Sequence, residues 1–368
     1  MAKLRVGVLF GGRSGEHEVS LVSARSVLQH LSPEKYEVYP IGITHEGAWY
    51  FGPEAREMLE QGTTQGLRPV TVLPDPTRPG LWALEPVLER LAALDVVFPV
   101  LHGPFGEDGT LQGLLEMAGV AYVGAGVAAS AVGMDKGLFK DLMRAHGLPV
   151  VRYRVFTRHR WERDPEGVIR ECEALAPYPL FVKPANLGSS VGVTKAKNRE
   201  QLREALRLAA RYDRRLVVEE GIPAREIEVS VLGNEEPEAS VPGEVVPGDE
   251  FYSYRAKYLD DTSQLLIPAP LTPEQTRRVR ELALAAYRAI DAAGMARVDF
   301  LMHKETGEFF ISEVNTIPGF TPISMYPKLW EASGLPYPQL LDRLIALALE
   351  RQRERQRTIY RFRPDEEA

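Results

Sequence analysis

The chain has 368 residues, 44% of them hydrophobic and 26% charged, and its formal net charge is −7. These values are typical of a water-soluble globular protein with two or three domains, and an acidic chain without a basic stripe argues against nucleic-acid binding. One cysteine, Cys172, excludes an internal disulfide and a cysteine-based metal site. The apolar runs are too short to span a membrane, and residues 1–10 lead directly into a glycine-rich turn. We therefore expect a cytoplasmic protein without a signal peptide.

The first 130 residues predict an α/β domain with a mostly parallel sheet. The β-branched, apolar run Leu4–Phe10 ends in glycines, which is typical of a buried parallel strand. Ser14 is expected to cap the helix that follows. Further strands are predicted at Tyr36–Ile43 and Asp95–Pro99, and a helix at about Thr110–Ala118.

Residues 131–222 predict a second unit of mixed helices and strands. It begins with a helix from Met134 to His146, which ends at Gly147, with Pro149 beyond it. Strands and one further helix are expected after it, in this order: Val151–Phe156, Pro179–Lys183, Val191–Lys195, the helix Asn198–Arg211, and Arg215–Glu219.

Residues 223–350 predict a third unit, which begins with a strand at Glu226–Leu232. The long polar stretch 242–264 contains Pro and Gly, and such a loop in a compact enzyme is usually a lid or a binding loop. A helix at Pro273–Ala292, a hairpin from Met295 to Val314 and helices to about Leu349 follow. The tail 351–368 is dense in charge, so we expect it to be exposed or loosely packed.

The predicted hairpin is the most informative segment. Arg297 and Asp299 share one face of its first strand, and Glu313 and Asn315 share one face of its second strand. If the hairpin is symmetric about Thr306, Asp299 lies opposite Glu313 and Arg297 opposite Asn315. Two carboxylates and an amide oxygen are hard ligands that hold Mg²⁺ against nucleotide phosphates.

An alternative for the hairpin is a solvated face on which Arg297 neutralises both carboxylates, which is the simpler reading of an isolated pair. The segment Thr316–Phe320, a turn containing Pro318 and Gly319, directly follows Asn315 and permits close backbone approach to a ligand. We therefore favour a metal site.

A second informative segment begins at Lys183, on a predicted buried strand. The small-residue loop that follows it, Pro184–Val193, is rich in hydroxyl groups and backbone N–H groups. Such a loop can surround the terminal phosphates of a nucleotide, with the lysine as a point charge. The alternative is an ordinary glycine turn between strands.

Several further segments complete an ordered set of motifs. They are Gly11–Ser20, His102–Gly109, Met134–Lys136, Phe251–Tyr258 and Glu313–Gly319 with Ser324. In order and spacing, from about residue 3 to residue 350, the set resembles the D-alanine–D-alanine ligase family of ATP-grasp enzymes. The resemblance implies an α/β protein with a three-domain ATP-grasp fold, α+β in its ATP-binding part, and an N-terminal Rossmann-like domain with a parallel sheet.

The resemblance also implies the site residues. Those around ATP would be Lys136, Lys183, Glu219, Glu220, Ile222, Glu226 and Lys257, with Glu228 as a substitute for Glu226 at the ribose. Glu16 would hold the ammonium of the first D-alanine and join the domains through Ser189 and Tyr258. His102 would also face substrate, Ser324 and Met325 would receive the second carboxylate, and Arg297 with the Gly319 N–H would stabilise an oxyanion. Asp299, Glu313 and Asn315 would hold two Mg²⁺ ions, with Mn²⁺ as a substitute.

The activity that the resemblance implies is ATP-dependent joining of two D-alanines through an acyl phosphate, for peptidoglycan precursor synthesis. The expected partners are ATP and D-alanine, without nucleic acid or membrane, in a homodimer. A D-alanine–D-lactate ligase is the alternative within the family, and the aromatic residues near Tyr258 favour the dipeptide. A nucleotide-binding oxidoreductase is a remote alternative, since Gly11–Gly15 does not have the G-x-G-x-x-G spacing.

Overall fold

Three β-sheets follow one another along the chain. The computed structural model describes residues 2–188, 191–246 and 264–360. Within these ranges, the first sheet has eight strands, the second four and the third six.

The first sheet is parallel at its centre and antiparallel on one side. Its strands are β1 Leu4–Gly11, β2 Tyr36–Ile43, β3 Trp49–Phe51, β4 Arg68–Val72, β5 Leu81–Ala83, β6 Glu89–Ala92, β7 Val96–Pro99 and β8 Ala121–Tyr122. β1 pairs in parallel with β2 and β7, and β7 with β8, as expected. The antiparallel strands β3 to β6 were not predicted, because segments of three to five residues give too short a pattern.

Four helices accompany this sheet: α1 His17–His30, α2 Ala55–Glu60, α3 Thr110–Met117 and α4 Val127–Met134. The prediction that Ser14 caps the first helix is wrong, because the N-cap residue is Glu16. The Ser14 hydroxyl instead accepts the N–H of Glu16 and donates to the carbonyl of His102. Ser14 therefore connects two loops at the carboxyl ends of the parallel strands.

The second sheet is antiparallel, in the order β11-β10-β12-β9. Its strands and helices are α5 Lys136–Ala145, β9 Tyr153–Thr157, α6 Arg158–Arg163, α7 Pro165–Leu175, β10 Leu180–Pro184, β11 Thr194–Ala196, α8 Arg199–Tyr212 and β12 Arg215–Glu220. The helix expected from Met134 begins at Lys136, because the Asp135 carboxylate accepts the N–H groups of Gly137 and Leu138 at 3.0 Å each.

The third sheet runs in the order β16-β15-β13-β17-β18, with β14 beside β13. Its elements are β13 Ala224–Gly233, β14 Glu238–Ala239, β15 Gly243–Val246, β16 Gln264–Leu266, α9 Pro273–Ala289, β17 Gly294–His303, β18 Phe309–Asn315, α10 Met325–Ala332 and α11 Tyr337–Arg355. The predicted bounds of the lid loop, 242–264, are too wide, because residues at both ends belong to the paired strands β15 and β16. Its middle, residues 247–263, lies outside the described residues.

The last helix covers the first sheet. Leu340, Leu341 and Leu344 of α11 are fully buried in one core with Val8 and Phe98. The helix continues past the expected end at Leu349, and the guanidinium of Arg351 lies 4.3 Å from the centre of the Tyr122 ring. Residues 361–368 of the predicted tail lie outside the described residues. None of the helices within the described ranges is long and apolar enough to cross a bilayer.

Candidate active site

The hairpin β17–β18 has the predicted pairs. Arg297 lies opposite Asn315 and Asp299 opposite Glu313, so these four side chains share one face of the third sheet. The other face is apolar, and Val298 is fully buried there. The symmetric register fails beyond Asp299, where a bulge pairs Phe300 with Ile311. Without the bulge, the register nearer the turn would place Asp299 opposite Ser312, so the bulge is what aligns the two acids.

Arg297 is the cation at the centre of this face. Its Nε and Nη2 donate to the two carboxylate oxygens of Asp299 at 2.7 and 2.6 Å, and Nε lies 3.1 Å from Oε2 of Glu228. Burial alone would lower the pKa of Arg297, but the carboxylates of Asp299 and Glu228 outweigh it and raise the pKa well above its ordinary value. The guanidinium is therefore a permanent charge held in one orientation.

The two candidates for the ribose contact differ in their surroundings. Glu228 on β13 lies opposite Asp299 and is buried against Arg297. Glu226 lies opposite Leu301, two residues further along the same face, and is partly exposed. Because Glu226 is partly exposed and Glu228 is buried, Glu226 has the better access for a ligand.

Lys136 lies between the second and third sheets. Its Nζ donates to the carbonyl of Leu187 at 2.7 Å and lies 3.5 Å from Oε2 of Glu313. Its backbone N–H donates to the carbonyl of Ala185. The first turn of α5 is thus tied to the loop after Lys183 and faces the carboxylate pair of the hairpin.

Glu219 and Glu220, expected near the adenine, point to opposite sides of β12. Glu219 is buried and accepts from Nζ of Lys183 at 2.8 Å. Glu220 accepts from the backbone N–H and Nε of Arg152, at 2.7 Å each. Ile222, two residues beyond the end of β12, is partly exposed. In this structure the Glu219 carboxylate is therefore engaged by lysine and does not face a base.

Glu16 is a buried carboxylate at the N-cap of α1. Two glycines make room for it, because a Cβ added at Gly103 would lie 2.9 Å from Glu16 Oε2 and one at Gly188 would lie 2.6 Å from it. The carboxylate is therefore enclosed by loops from the first and second parts of the chain. Ser189, its predicted link to the second part, lies outside the described residues, as do Lys257 and Tyr258.

Glu107 supports the neighbouring loop. Its Oε1 accepts the N–H of Gly103 at 2.9 Å, while its buried Oε2 has no hydrogen-bond partner among the described residues. Burial and then the Glu16 carboxylate raise the pKa of Glu107 well above its ordinary value. The neutral form of Glu107 is therefore favoured beside Glu16, and Glu107 acts through its hydrogen bond to the loop.

His102, expected to face substrate, has both ring nitrogens engaged by the protein. Nδ1 lies 3.1 Å from the carbonyl of Ile317, and Nε2 lies 3.2 Å from Oγ of Ser23. Burial lowers the pKa of His102. A neutral imidazole that donates through Nδ1 and accepts through Nε2 satisfies both contacts. His102 therefore connects the first sheet to the turn after Asn315.

Gly319 and Ser324 lie together in that turn. A Cβ added at Gly319 would lie 2.6 Å from Oγ of Ser324, and the same Oγ accepts the N–H of Thr321 at 3.0 Å. Ser324 is the N-cap residue of α10, but its side chain makes no capping bond. The side chain of Met325 packs into a small apolar cluster with Leu329, so Met325 can contact a ligand only through its backbone N–H.

One buried lysine of the site was not predicted. Lys140 lies four residues after Lys136 on α5, and its Nζ is 3.2 Å from Oε1 of Glu219. The i, i+4 spacing from Lys136 places both lysines on one face of the helix, which was a signal available in the sequence. Its burial depends on the packing of the second and third sheets, which the sequence does not reveal.

Two family models match the chain, the D-ala D-ala ligase N-terminus over residues 5–125 and the D-ala D-ala ligase C-terminus over residues 142–346. The chain belongs to the D-alanine–D-alanine ligase family. A D-alanine–D-alanine ligase from Natranaerobius thermophilus is 52% identical over 97% of this chain and 98% of its own length. One from Heliobacterium modesticaldum is 55% identical, again over 97% and 98%.

Solved structures agree with this assignment. The D-alanine-D-alanine ligase from Coxiella burnetii has a TM-score of 0.82 at 40% identity, over 96% of each chain. VanG D-Ala:D-Ser ligase from Enterococcus faecalis has a TM-score of 0.84 at 37% identity, over 94% of this chain and all of its own. The ATP-grasp fold that the motifs implied is thus confirmed, and the chain is an ATP-dependent ligase.

Proposed function

We propose that this member of the D-alanine–D-alanine ligase family joins two D-alanines for peptidoglycan precursor synthesis. The γ-phosphoryl group of ATP moves to the carboxylate of the first D-alanine, which gives an acyl phosphate and ADP. The amine of the second D-alanine then attacks the acyl carbon, and the tetrahedral intermediate expels phosphate. The observation that carries the proposal is the common face of Arg297, Asp299, Glu313 and Asn315, with the ammonium of Lys136 beside it.

The residues fit a magnesium-dependent phosphoryl transfer. Asp299, Glu313 and Asn315 offer only oxygen ligands on adjacent strands, and the Asn315 Oδ1, which accepts the N–H of Ile317, has a second lone pair. These three residues would hold Mg²⁺, as two ions, or Mn²⁺ in its place. Bound magnesium would offset phosphate charge.

Lysine side chains of the protein are proposed to neutralise the remaining phosphate charge. Lys136 and Lys183 are proposed to contact the phosphates, and Lys257 to approach them from the lid. Arg297 and the N–H of Gly319 are proposed to stabilise the oxyanion of the tetrahedral intermediate, a task for donors that are already oriented. The pairing of Arg297 with Asp299 supports this role, because it holds the guanidinium in place before substrate arrives.

The two D-alanine positions follow from the surroundings of Glu16 and Ser324. Glu16, with Ser189 and Tyr258, is proposed to bind the first ammonium, and Glu107 supports the loop beside it by accepting the N–H of Gly103. Ser324 and the N–H of Met325 are proposed to bind the second carboxylate at the start of α10, where helix N–H groups favour an anion. His102 is proposed to line the first position.

The organisation around the site is also a proposal. Domain boundaries near residues 130 and 222 are supported by the separate sheet within each part of the chain. The stretch between β15 and β16 is proposed to act as a lid that excludes water from the acyl phosphate. Because the reaction consumes ATP, we place the enzyme in the cytoplasm, and we expect a homodimer.

Phosphate release from ATP tests the proposed function. It should be measured with D-alanine, L-alanine, D-lactate and D-serine, and with D-alanine paired with each of the others, and the products identified by mass. Release with D-alanine alone and formation of D-alanyl-D-alanine are expected. A product containing D-lactate or D-serine in preference to the dipeptide, or release with none of these, would contradict the proposal.

Replacing Gly188 with alanine should raise the KM of the first D-alanine about tenfold, since a displaced carboxylate weakens a charged hydrogen bond. The new Cβ would lie 2.6 Å from Glu16 Oε2, and the carboxylate must move away. Steady-state kinetics at saturating ATP would measure the effect. Gly113→Ala is the matched control, because a Cβ at Gly113 meets nothing within 4 Å. An unchanged KM in Gly188→Ala would contradict the assignment of Glu16.

A further inference from the structure

Lys140 is a fully buried lysine at the junction of the second and third sheets. Its side chain is 0% exposed, and its Nζ lies 3.2 Å from Glu219 Oε1 and donates to the carbonyl of Ser312 at 3.2 Å. A buried ammonium is costly unless it is paired and hydrogen-bonded. The contacts with Glu219 and Ser312 meet both requirements.

Lys140 shares its carboxylate with a second lysine. The other oxygen of Glu219 accepts from Nζ of Lys183 at 2.8 Å, so one anion lies between two cations. Burial opposes ionisation of Glu219, but Lys140 and Lys183 lower its pKa to about 2. Glu219 is therefore an anion at neutral pH. Burial lowers the pKa of Lys140, and the Glu219 carboxylate opposes this change. With both lysines protonated, the three groups together carry one net positive charge.

The two lysines differ in access. The side chain of Lys183 is 15% exposed, whereas that of Lys140 is completely buried. Only Lys183 can meet a nucleotide phosphate. Without Lys140, Lys183 and Glu219 would form a neutral pair, and the attraction for phosphate would fall.

We propose that Lys140 is a positioning residue, which neutralises Glu219 so that the charge of Lys183 remains available to the phosphates of ATP. Through Ser312 it also fixes α5 to β18, next to the carboxylate of Glu313. This inference rests on the proposed function, because it takes Lys183 to be a phosphate contact.

If Lys140 acts by neutralising Glu219, removing the charge of Glu219 should restore the ATP affinity that is lost with Lys140. Lys140→Met should raise the KM of ATP and the Kd of a non-hydrolysable ATP analogue about tenfold, the usual effect of weakening one charged hydrogen bond, with the KM of D-alanine within about twofold. The double variant Lys140→Met/Glu219→Gln regains one net positive charge on Lys183. Its affinity for ATP should return to within about threefold of wild type.

Two further variants control the experiment. Lys140→Arg keeps the charge and should bind the analogue nearly as wild type does. Lys35→Met removes a lysine that is 60% exposed and paired with Asp342, and should change nothing. Circular dichroism and thermal unfolding establish that each variant is folded; if Lys140→Met is not, the double variant and Lys140→Arg decide the question.

Two results would overturn the proposal. One is a folded double variant that binds the analogue tenfold more weakly than wild type. The other is a Lys140→Met variant in which ATP and D-alanine KM values rise equally. Analogue binding requires no turnover, so it tests Lys140 even if wild-type enzyme releases no phosphate with D-alanine, a result that would count against the proposed function alone.

Discussion

Replacing Arg297 with alanine is expected to lower turnover by about 100- to 1,000-fold, the usual loss when one oxyanion donor is removed. Arg297 donates two hydrogen bonds to Asp299, at 2.7 and 2.6 Å, so its donors are fixed before the oxyanion forms. Arg297→Lys keeps the charge but loses the planar, two-point donor, so it should recover only part of the activity. Steady-state kinetics with D-alanine and ATP would measure both variants.

A matched control for Arg297 lies on the same sheet. Arg225 forms an ion pair with the buried carboxylate of Glu244 at 2.6 Å, on the opposite face of β13 from Glu228. Arg225→Ala also leaves a buried acid unpaired, so it should lower thermal stability without a comparable loss of turnover. A loss of less than tenfold in Arg297→Ala would refute its role in the reaction.

Replacing Glu313 with glutamine is expected to lower turnover about 100-fold or more at ordinary Mg²⁺ concentrations, because a lost metal ligand weakens several kcal/mol of charge stabilisation. An amide keeps the shape but not the charge that a hard divalent ion prefers. Part of the activity should return as Mg²⁺ or Mn²⁺ is raised. Phosphate release measured against metal concentration would detect this shift.

The control for Glu313 is Glu308→Gln, the same change at an exposed position on the same hairpin. It should leave the metal dependence as in wild type. If Glu313→Gln showed an unchanged dependence on Mg²⁺, the hairpin carboxylates would be ion-paired groups on a solvated face and would not bind metal. Lys136, whose Nζ lies 3.5 Å from Oε2 of Glu313, would then be one of its ion-pair partners.

The hairpin was predictable because its signals are local. Alternation of side chains is enough to place Arg297 with Asp299, and Glu313 with Asn315, on a common face of each strand. The neighbour Glu228 was not predictable, because its position depends on the pairing of β17 with β13, some 70 residues earlier in the chain. The bulge at Phe300 was not predicted either. The sequence pattern of β17 does not indicate which distant strand it pairs with.

Some cations of the site were likewise predictable from local sequence, and one was not. Lys136 and Lys183 were found because they belong to recognisable motifs, whereas Lys140 becomes significant only once β12 and β18 are packed against α5. The cap of α1 was misplaced for a similar reason. Ser14 has the right chemistry, but the carbonyl of His102, almost 90 residues away, engages its hydroxyl. Ser189, Lys257 and Tyr258 stay predictions.

The contact between α11 and the first sheet has a consequence for biosynthesis. The apolar face of β1 and β7 is completed by Leu340, Leu344 and Ile345, which are translated long after these strands. Domains usually fold in the order in which they are made. Here one face of the N-terminal sheet stays uncovered until α11 has been translated. The apolar face of the first sheet is therefore covered late in synthesis. Packing of α11 then protects the first strands from aggregation.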